Sequence, residues 1–259
     1  MQLLSGKVIV STRPASEDDQ IHQRLTEEGA VVVQFPMIEI SASSIDIEAD
    51  KTLQHLAPFQ WVVFTSSNGV NYFFAILKSK GRSIPSTLKF AVYGNRTGSQ
   101  LKKMSISADF IFHGGTSTDF LHAFQKILNK EDKILFIQGN LAPETMNREL
   151  SKTAFVQRIN VYQTTLPKNI DKEILNRIIN GDYDFILFTS PSGFINFKTV
   201  TVKKIDLTKL KVICIGQRTA RSLIDEGVDP LIIADTPDAE GIIKSITRYY
   251  QNKEDFQTK

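Results

Sequence analysis

Cysteine occurs once in 259 residues, tryptophan once and histidine four times. A lone Cys214 forms no internal disulfide, and His22, His55, His113 and His122 show no metal-ligand spacing. No metal and no cofactor are therefore expected. Walker A, a complete GxGxxG and a GxSxG elbow are also missing, which counts against nucleotide hydrolysis, dinucleotide chemistry and serine-hydrolase chemistry. No apolar run approaches the roughly 18 to 20 residues of a membrane span, and the start lacks the basic and apolar regions of an export signal. Nor is one sign of charge dominant: 31 basic and 28 acidic residues leave +3, with no basic tail to indicate nucleic acid. Cys214 sits in the apolar run Val212-Ile213-Cys214-Ile215, which reads as a buried strand in a reducing compartment. The expectation is a cytoplasmic, monomeric protein without nucleic-acid or membrane partners.

What the chain does have is a repeat in rotated order. Val62-Val63-Phe64-Thr65-Ser66-Ser67-Asn68-Gly69 is echoed by Ile186-Leu187-Phe188-Thr189-Ser190-Pro191-Ser192-Gly193, and Val92-Tyr93-Gly94-Asn95-Arg96-Thr97 by Cys214-Ile215-Gly216-Gln217-Arg218-Thr219. Ser66 and Ser190 are 124 positions apart, Thr97 and Thr219 122 apart, so the register is nearly constant. A fold used twice is the simplest origin. A third match, Lys7-Val8-Ile9-Val10 with Lys133-Ile134-Leu135-Phe136, has an offset of 126 but comes first in one copy and last in the other.

The hydrophobic pattern agrees. Short β-branched runs at 7–12 and 31–35 enclose a predicted helix with apolar positions Ala15, Ile21 and Leu25. Strands are predicted at 61–65, 89–93, 109–112, 133–137 and 154–161, separated by helices from Asn68, Asn95, Ser117 and about Pro143. After a helix at 168–180 come strands at 185–189, 211–215 and 231–234 and a last helix from Ala239 to Tyr250, followed by a polar tail. Such alternation implies parallel sheets covered on both faces. The rotation requires residues 1–35 and 169–259 to form one α/β domain and 41–161 to be inserted into it. The chain then crosses twice, at 36–40 and 162–168, as two linker strands, with the active cleft expected between the domains.

The chemistry is expected at strand-to-helix turns, where unpaired backbone N–H groups meet Ser, Thr, Asn or Gly. Candidates for holding an anion are Arg13, Ser66, Ser67, Asn68, Gly94, Thr97, Ser190, Ser192, Gly193, Gly216 and Thr219. For each hydroxyl, helix capping is the competing reading. Thr97 and Thr219 stand out because both follow Gly-Xaa-Arg; Arg96 and Arg218 read equally as surface residues. Tyr162, at the second crossing, either faces the cleft or plugs the junction. Two classes of function share these features: an enzyme acting on a polyanion, and a two-lobed binding protein for an anionic metabolite.

Taken in order, Val10-Ser11-Thr12-Arg13-Pro14, Phe64-Thr65-Ser66-Ser67-Asn68-Gly69-Val70, Val161-Tyr162-Gln163-Thr164, Phe188-Thr189-Ser190-Pro191-Ser192-Gly193 and Ile215-Gly216-Gln217-Arg218-Thr219-Ala220 resemble uroporphyrinogen-III synthases over essentially the whole chain. The resemblance implies two flavodoxin-like, doubly wound lobes joined by a two-stranded linker, and a lyase that needs no metal or cofactor. Its substrate would be hydroxymethylbilane, a linear tetrapyrrole with eight carboxylates, closed to uroporphyrinogen III with ring D inverted. Tyr162 matches the family's cleft tyrosine, which assists departure of the hydroxyl group. Thr97, Thr219, Ser190 and Ser192 match positions that bind the acetate and propionate groups. Two departures stand out: Gly98 replaces the usual Ala, and the 139–144 turn lacks the usual Arg or Gly-rich character.

Overall fold

The computed structural model describes residues 4–14 and 19–257, with side chains described as far as Gln251. In chain order the elements are β1 (Val8–Ser11), α1 (Gln20–Glu27), β2 (Val31–Gln34), β3 (Glu39–Ala42), α2 (Ile47–Gln54), β4 (Trp61–Phe64), α3 (Ser67–Ser79), β5 (Lys89–Tyr93), α4 (Asn95–Lys103) and β6 (Phe110–Phe112). They continue with α5 (Ser117–Gln125), β7 (Lys133–Gly139), α6 (Thr145–Leu150), β8 (Phe155–Thr165), α7 (Lys172–Asn180), β9 (Phe185–Phe188), α8 (Pro191–Thr201), β10 (Val212–Cys214), α9 (Gln217–Ile224), β11 (Ile232–Ile233) and α10 (Ala239–Gln257). The chain forms two units, one running to Glu39 and resuming at Thr165, the other spanning Ile40–Thr164.

Unit 1 holds a sheet in the order β11-β10-β9-β1-β2, every neighbouring pair parallel. Alternation along each strand sends side chains to opposite faces. Val10, Ile186, Phe188, Val212 and Cys214 pack under α7, α8 and α9 through Leu175, Ile178, Phe194, Phe197 and Leu223. On the other face, Ile9, Phe185, Leu187 and Ile213 meet Ile21 and Leu25 of α1 and Ile242 and Ile246 of α10. A strand covered on both faces has no polar side, which is why Phe185-Ile186-Leu187-Phe188 is continuously apolar.

In unit 2 the order is β3-β8-β7-β4-β5-β6, with β8 through β6 parallel. Val62, Phe64, Val92, Leu135 and Ile137 pack against Val70, Phe73 and Leu77 of α3 and Leu101 of α4. Trp61, Val63, Ile134 and Phe136 face Phe120 and Phe124 of α5 and Met146 and Leu150 of α6. Matching β1 to β7, β2 to β8, β9 to β4, β10 to β5 and β11 to β6 superposes the two strand orders, each 2-1-3-4-5 when counted from β1 or from β7. This is the flavodoxin-type doubly wound order. The rotated repeat is thus a circular permutation of one topology.

Three sequence-based expectations need correction. Residues 39–40 and 162–165, expected to be linker, are the start of β3 and the end of β8, and the units divide at Glu39/Ile40 and Thr164/Thr165. The polar stretch 41–50, expected to interrupt the strand–helix rhythm, completes β3 and starts α2, whose N-cap Asp46 accepts from the Ala49 N–H at 2.7 Å. The final helix does not stop at Tyr250 but continues to Gln257, because no Gly or Pro interrupts the tail. Ala15, placed in the first predicted helix, lies outside the described residues.

Burial pushes the Cys214 thiol up to about 12. A thiol that keeps its proton where an unfolded chain loses it lowers stability as pH rises above its ordinary value of 9.0. We therefore expect native protein at pH 8 to leave Cys214 unlabelled by an aromatic disulfide reagent, and urea-unfolded protein to react fully. Rapid labelling of the native form would contradict the burial.

Candidate functional site

In a doubly wound sheet the strand order reverses at one place, and ligands bind beyond the carboxyl ends of the strands there. In unit 1 the reversal lies between β1 and β9. The two turns meet: Thr12 donates its Oγ1 hydroxyl to the Leu187 carbonyl at 2.8 Å, and a Cβ on Gly193 would lie 3.7 Å from Thr12 Oγ1. In unit 2 the reversal lies between β7 and β4, at the Gly139-Asn140 and Thr65-Ser66 turns.

Ser66 and Ser190 resolve the choice between cap and ligand contact partly in favour of the cap. Each is the N-cap of its helix, with nearly the same backbone (φ −154°, ψ 149° and φ −157°, ψ 151°). Each accepts from a glycine N–H three residues on, Gly69 at 3.0 Å and Gly193 at 3.1 Å. A Cβ on Gly69 or Gly193 would come within 3.3 or 3.2 Å of that serine oxygen, so glycine fits the turn best. Ser190 also shares a 3.2 Å hydrogen bond with Ser192, whereas Ser67 donates to the Arg96 carbonyl at 3.3 Å, tying adjacent turns together. Asn68 is half-buried in the first turn of α3.

The two Gly-Xaa-Arg-Thr turns behave differently from each other. Both helices start on a glycine that supplies no side-chain cap, so their first N–H groups are left to other acceptors. Thr97 and Thr219 are the third helical residues and are buried, at 4% and 3% exposure. Arg96 and Arg218 lie exposed one residue earlier. Gly94 has φ 87°, ψ 147°, which only glycine adopts without strain, but Gly216 is extended at φ 169°, ψ 177°. Arg13, expected at the ligand, is paired with Asp19 (Nε to Oδ2, 3.1 Å), whose other oxygen caps α1.

Tyr162 is the most elaborately held of the candidates. Its hydroxyl lies 3.1 Å from Ser66 Oγ. Its ring stacks on Tyr72, with centroids 5.9 Å apart at 22°, while the Tyr72 hydroxyl donates to the Ile40 carbonyl at 3.0 Å. The ring also lies flat against Gly139, where a Cβ would be 2.4 Å from its Cε2 and Cζ atoms. A register slip between Gln138 and Gly139 makes Gly139 the partner of Tyr162, leaving Val161 as the extra residue of a bulge. Beyond it Asn140 clamps the strand end, accepting from the Thr164 N–H at 2.8 Å and donating to the Thr164 carbonyl at 3.2 Å.

The sequence reading did not single out Tyr72 or Gly139 as site residues. Tyr72 has no signal in its spacing, and the need for glycine at 139 arises from a residue 23 positions later. Two concavities lie elsewhere: about 420 Å³ beside α4, lined by Asn95, Gly98, Lys102, Ile111 and His113, and about 650 Å³ beside α7, lined by Lys168, Asn176 and Lys204. Gly98 in the first leaves ordinary contact distance for a Cβ, 3.5 Å from Val92, so an alanine would fit there. Among the described residues no three His, Cys, Asp or Glu side chains group to hold a metal ion, and no helix is long and apolar enough to cross a membrane.

The contrast between the two glycines sets a stability test. Gly94→Ala is expected to cost about 1 to 3 kcal/mol through its positive φ, and Gly216→Ala to stay within about 0.5 kcal/mol. Urea titrations of both variants measure this, and equal losses would contradict it.

Comparison with known proteins now places the chain. Residues 19–244 match the family model of uroporphyrinogen-III synthase HemD. The porphyrin biosynthesis protein HemD of Ruminiclostridium josui is 27% identical over 228 residues, covering 85% of this chain; the chain spans only 44% of that protein's length. Uroporphyrinogen-III synthases of Synechococcus elongatus and Chlorobaculum parvum are each 26% identical, over 76% and 93% of this chain and 75% and 98% of theirs. In fold, the chain is similar to a mutant uroporphyrinogen III synthase of Thermus thermophilus (TM-score 0.65, 16% identity, 95% of this chain and 100% of that one). It is similar also to the Helicobacter pylori enzyme (TM-score 0.61, 16% identity, 92% and 97%). With its two doubly wound parallel sheets and a match running through both units, the chain belongs to the uroporphyrinogen-III synthase family.

Proposed function

We propose that the chain is a uroporphyrinogen-III synthase, a hydro-lyase that closes hydroxymethylbilane to uroporphyrinogen III with ring D inverted. The observation that carries this reading is Tyr162, a half-buried phenol held by hydrogen bonding and stacking at the point where the sheet order of unit 2 reverses. The reaction begins when the C–O bond of the ring A hydroxymethyl group breaks. The departing oxygen takes a proton and leaves as water, and the ring A nitrogen releases its proton to give a neutral azafulvene. Tyr162 is the donor at that oxygen. The substituted carbon of ring D then attacks the azafulvene methylene to give a spiro intermediate. Fragmentation and reclosure at the free position, with loss of the proton there, deliver the inverted isomer.

The same bilane closes unaided to the uninverted isomer, so water loss alone is not the whole task. Holding the chain of rings in the conformation that favours the spiro route is the larger one. Eight carboxylates give the protein the handles for it. The helix starts at Gly94 and Gly216, which have no side-chain cap, supply N–H donors, and Arg96 and Arg218 stand exposed beside them. One carboxylate at one helix start gains only about 0.3 to 1 kcal/mol, so several such seats are needed to fix the substrate. We also place this enzyme in the cytoplasm as a monomer, in keeping with its balanced charge and single buried thiol.

The deciding experiment supplies purified protein with freshly prepared hydroxymethylbilane and resolves the porphyrin isomers after oxidation. Isomer III in excess, formed faster than spontaneous closure, is the expected result. Isomer I alone at the uncatalysed rate would end the enzyme reading and return the chain to the binding-protein class. Tyr162→Phe is expected to lower kcat by about 100-fold or more, the range of a general acid, with KM little changed. An unaltered kcat would remove Tyr162 from the chemistry.

A further inference from the structure

The second copy of the fold shows what is special about the surroundings of Tyr162. In unit 1, Phe35 and Met37, two residues apart, donate their N–H groups to the consecutive carbonyls of Ser11 and Thr12 at 2.8 and 3.0 Å. That is the slip seen at the end of β8, so the bulge itself is duplicated and Met37 is the counterpart of Tyr162. Around this common backbone the two units differ in concert. Arg13 stands where unit 2 has Gly139, and Asn196 stands where it has Tyr72. Met37 is fully buried in the core, and Asn196 donates to its carbonyl at 2.7 Å. Ser190 caps its helix as Ser66 does, but its second partner is Ser192. Only unit 2 has the bare backbone at 139, the stacking ring at 72 and the hydroxyl at 66, all turned to one phenol.

We propose that Ser66 is a positioning residue as well as a cap: it donates its proton to the Tyr162 oxygen, leaving the phenol's own proton to the substrate, while Gly139 and Tyr72 seat the ring. This rests on the reading of Tyr162 as the acid. Either oxygen can donate across this contact, and the cap favours donation by Ser66. The serine oxygen already accepts the Gly69 N–H at 3.0 Å. At the positive end of α3 its lone pairs are drawn toward the helix and its hydrogen is directed away from it. The Tyr162 oxygen is the partner found 3.1 Å away. A hydrogen bond donated there also stabilises the negative charge that grows on the phenol oxygen as its proton leaves.

The test separates capping from donation. Ser66→Asp keeps an acceptor for the Gly69 N–H but, when ionised, has no proton to give, so it reverses the bond to Tyr162. Expected are a wild-type melting temperature and a kcat down by 10-fold or more. Ser66→Thr, which caps and donates, is expected to restore kcat. Ser66→Ala is expected to cost the wild type a similar factor and Tyr162→Phe nothing further. In Gly139→Ala the ring must leave its seat, with the same loss of kcat.

Wild-type kcat in Ser66→Asp, or an undiminished effect of Ser66→Ala in the Tyr162→Phe background, would overturn the proposal. A readout independent of turnover is the Cζ carbon resonance of Tyr162 in protein labelled at tyrosine. It is expected to shift between wild type and Ser66→Asp and to return in Ser66→Thr. If wild-type protein makes only isomer I, the functional reading has failed, whereas an unmoved resonance would sink the Ser66 bond itself.

Discussion

Burial of both faces of a parallel sheet is the constraint from which the rest of this structure follows. Strands such as Trp61-Val62-Val63-Phe64 and Phe185-Ile186-Leu187-Phe188 have no polar side, so they are stable only between two layers of helix. Parallel connections then have to pass over the faces, and every strand-to-helix turn falls at the carboxyl edge. The polar groups of the protein are therefore concentrated where the apolar strands end. Ser66, Gly94, Gly139, Ser190 and Gly216 are all consequences of that geometry before any of them is a functional residue.

Much of this was legible because the signals are local. A strand that ends in Thr-Ser or Gly-Xaa-Arg-Thr carries its own turn with it, so two copies reveal themselves by spacing, and their rotated order corresponds to the sheet orders found in the two units. The capping reading of Ser66 and Ser190 was open in the sequence for the same reason: a serine three residues before a glycine satisfies a helix start whether or not a ligand is near.

What could not be read depends on ladder register. The slip that pairs Gly139 with Tyr162 changes no residue type that spacing would reveal, and the glycine is needed only because a ring from the neighbouring strand lies on it. The 139–144 turn looked poor because its residues are not anion binders. In the fold its work is mechanical: Asn140 holds the backbone of Thr164 and so the end of β8. Arg13, a cation just after β1, is paired with Asp19, the N-cap of α1.

The division between what is duplicated and what is not is the one that the proposed reaction calls for. Binding a polycarboxylate is a sum of similar small terms, each near the worth of one anion at one helix start. A gene duplication doubles such seats without further invention, and both units keep the Gly-Xaa-Arg-Thr pattern with a buried Thr and an uncapped helix start, although Gly94 and Gly216 differ in backbone. Departure of one hydroxyl group from one ring is a single event and gains nothing from a second acid. One copy was therefore free to close over its bulge with Met37 in the core and Arg13 tied to its own helix. The other has no side chain at 139 and an aromatic at 72, and there the same bulge seats a phenol. The bulge supplies the direction of the side chain, and the neighbours determine whether it serves packing or chemistry.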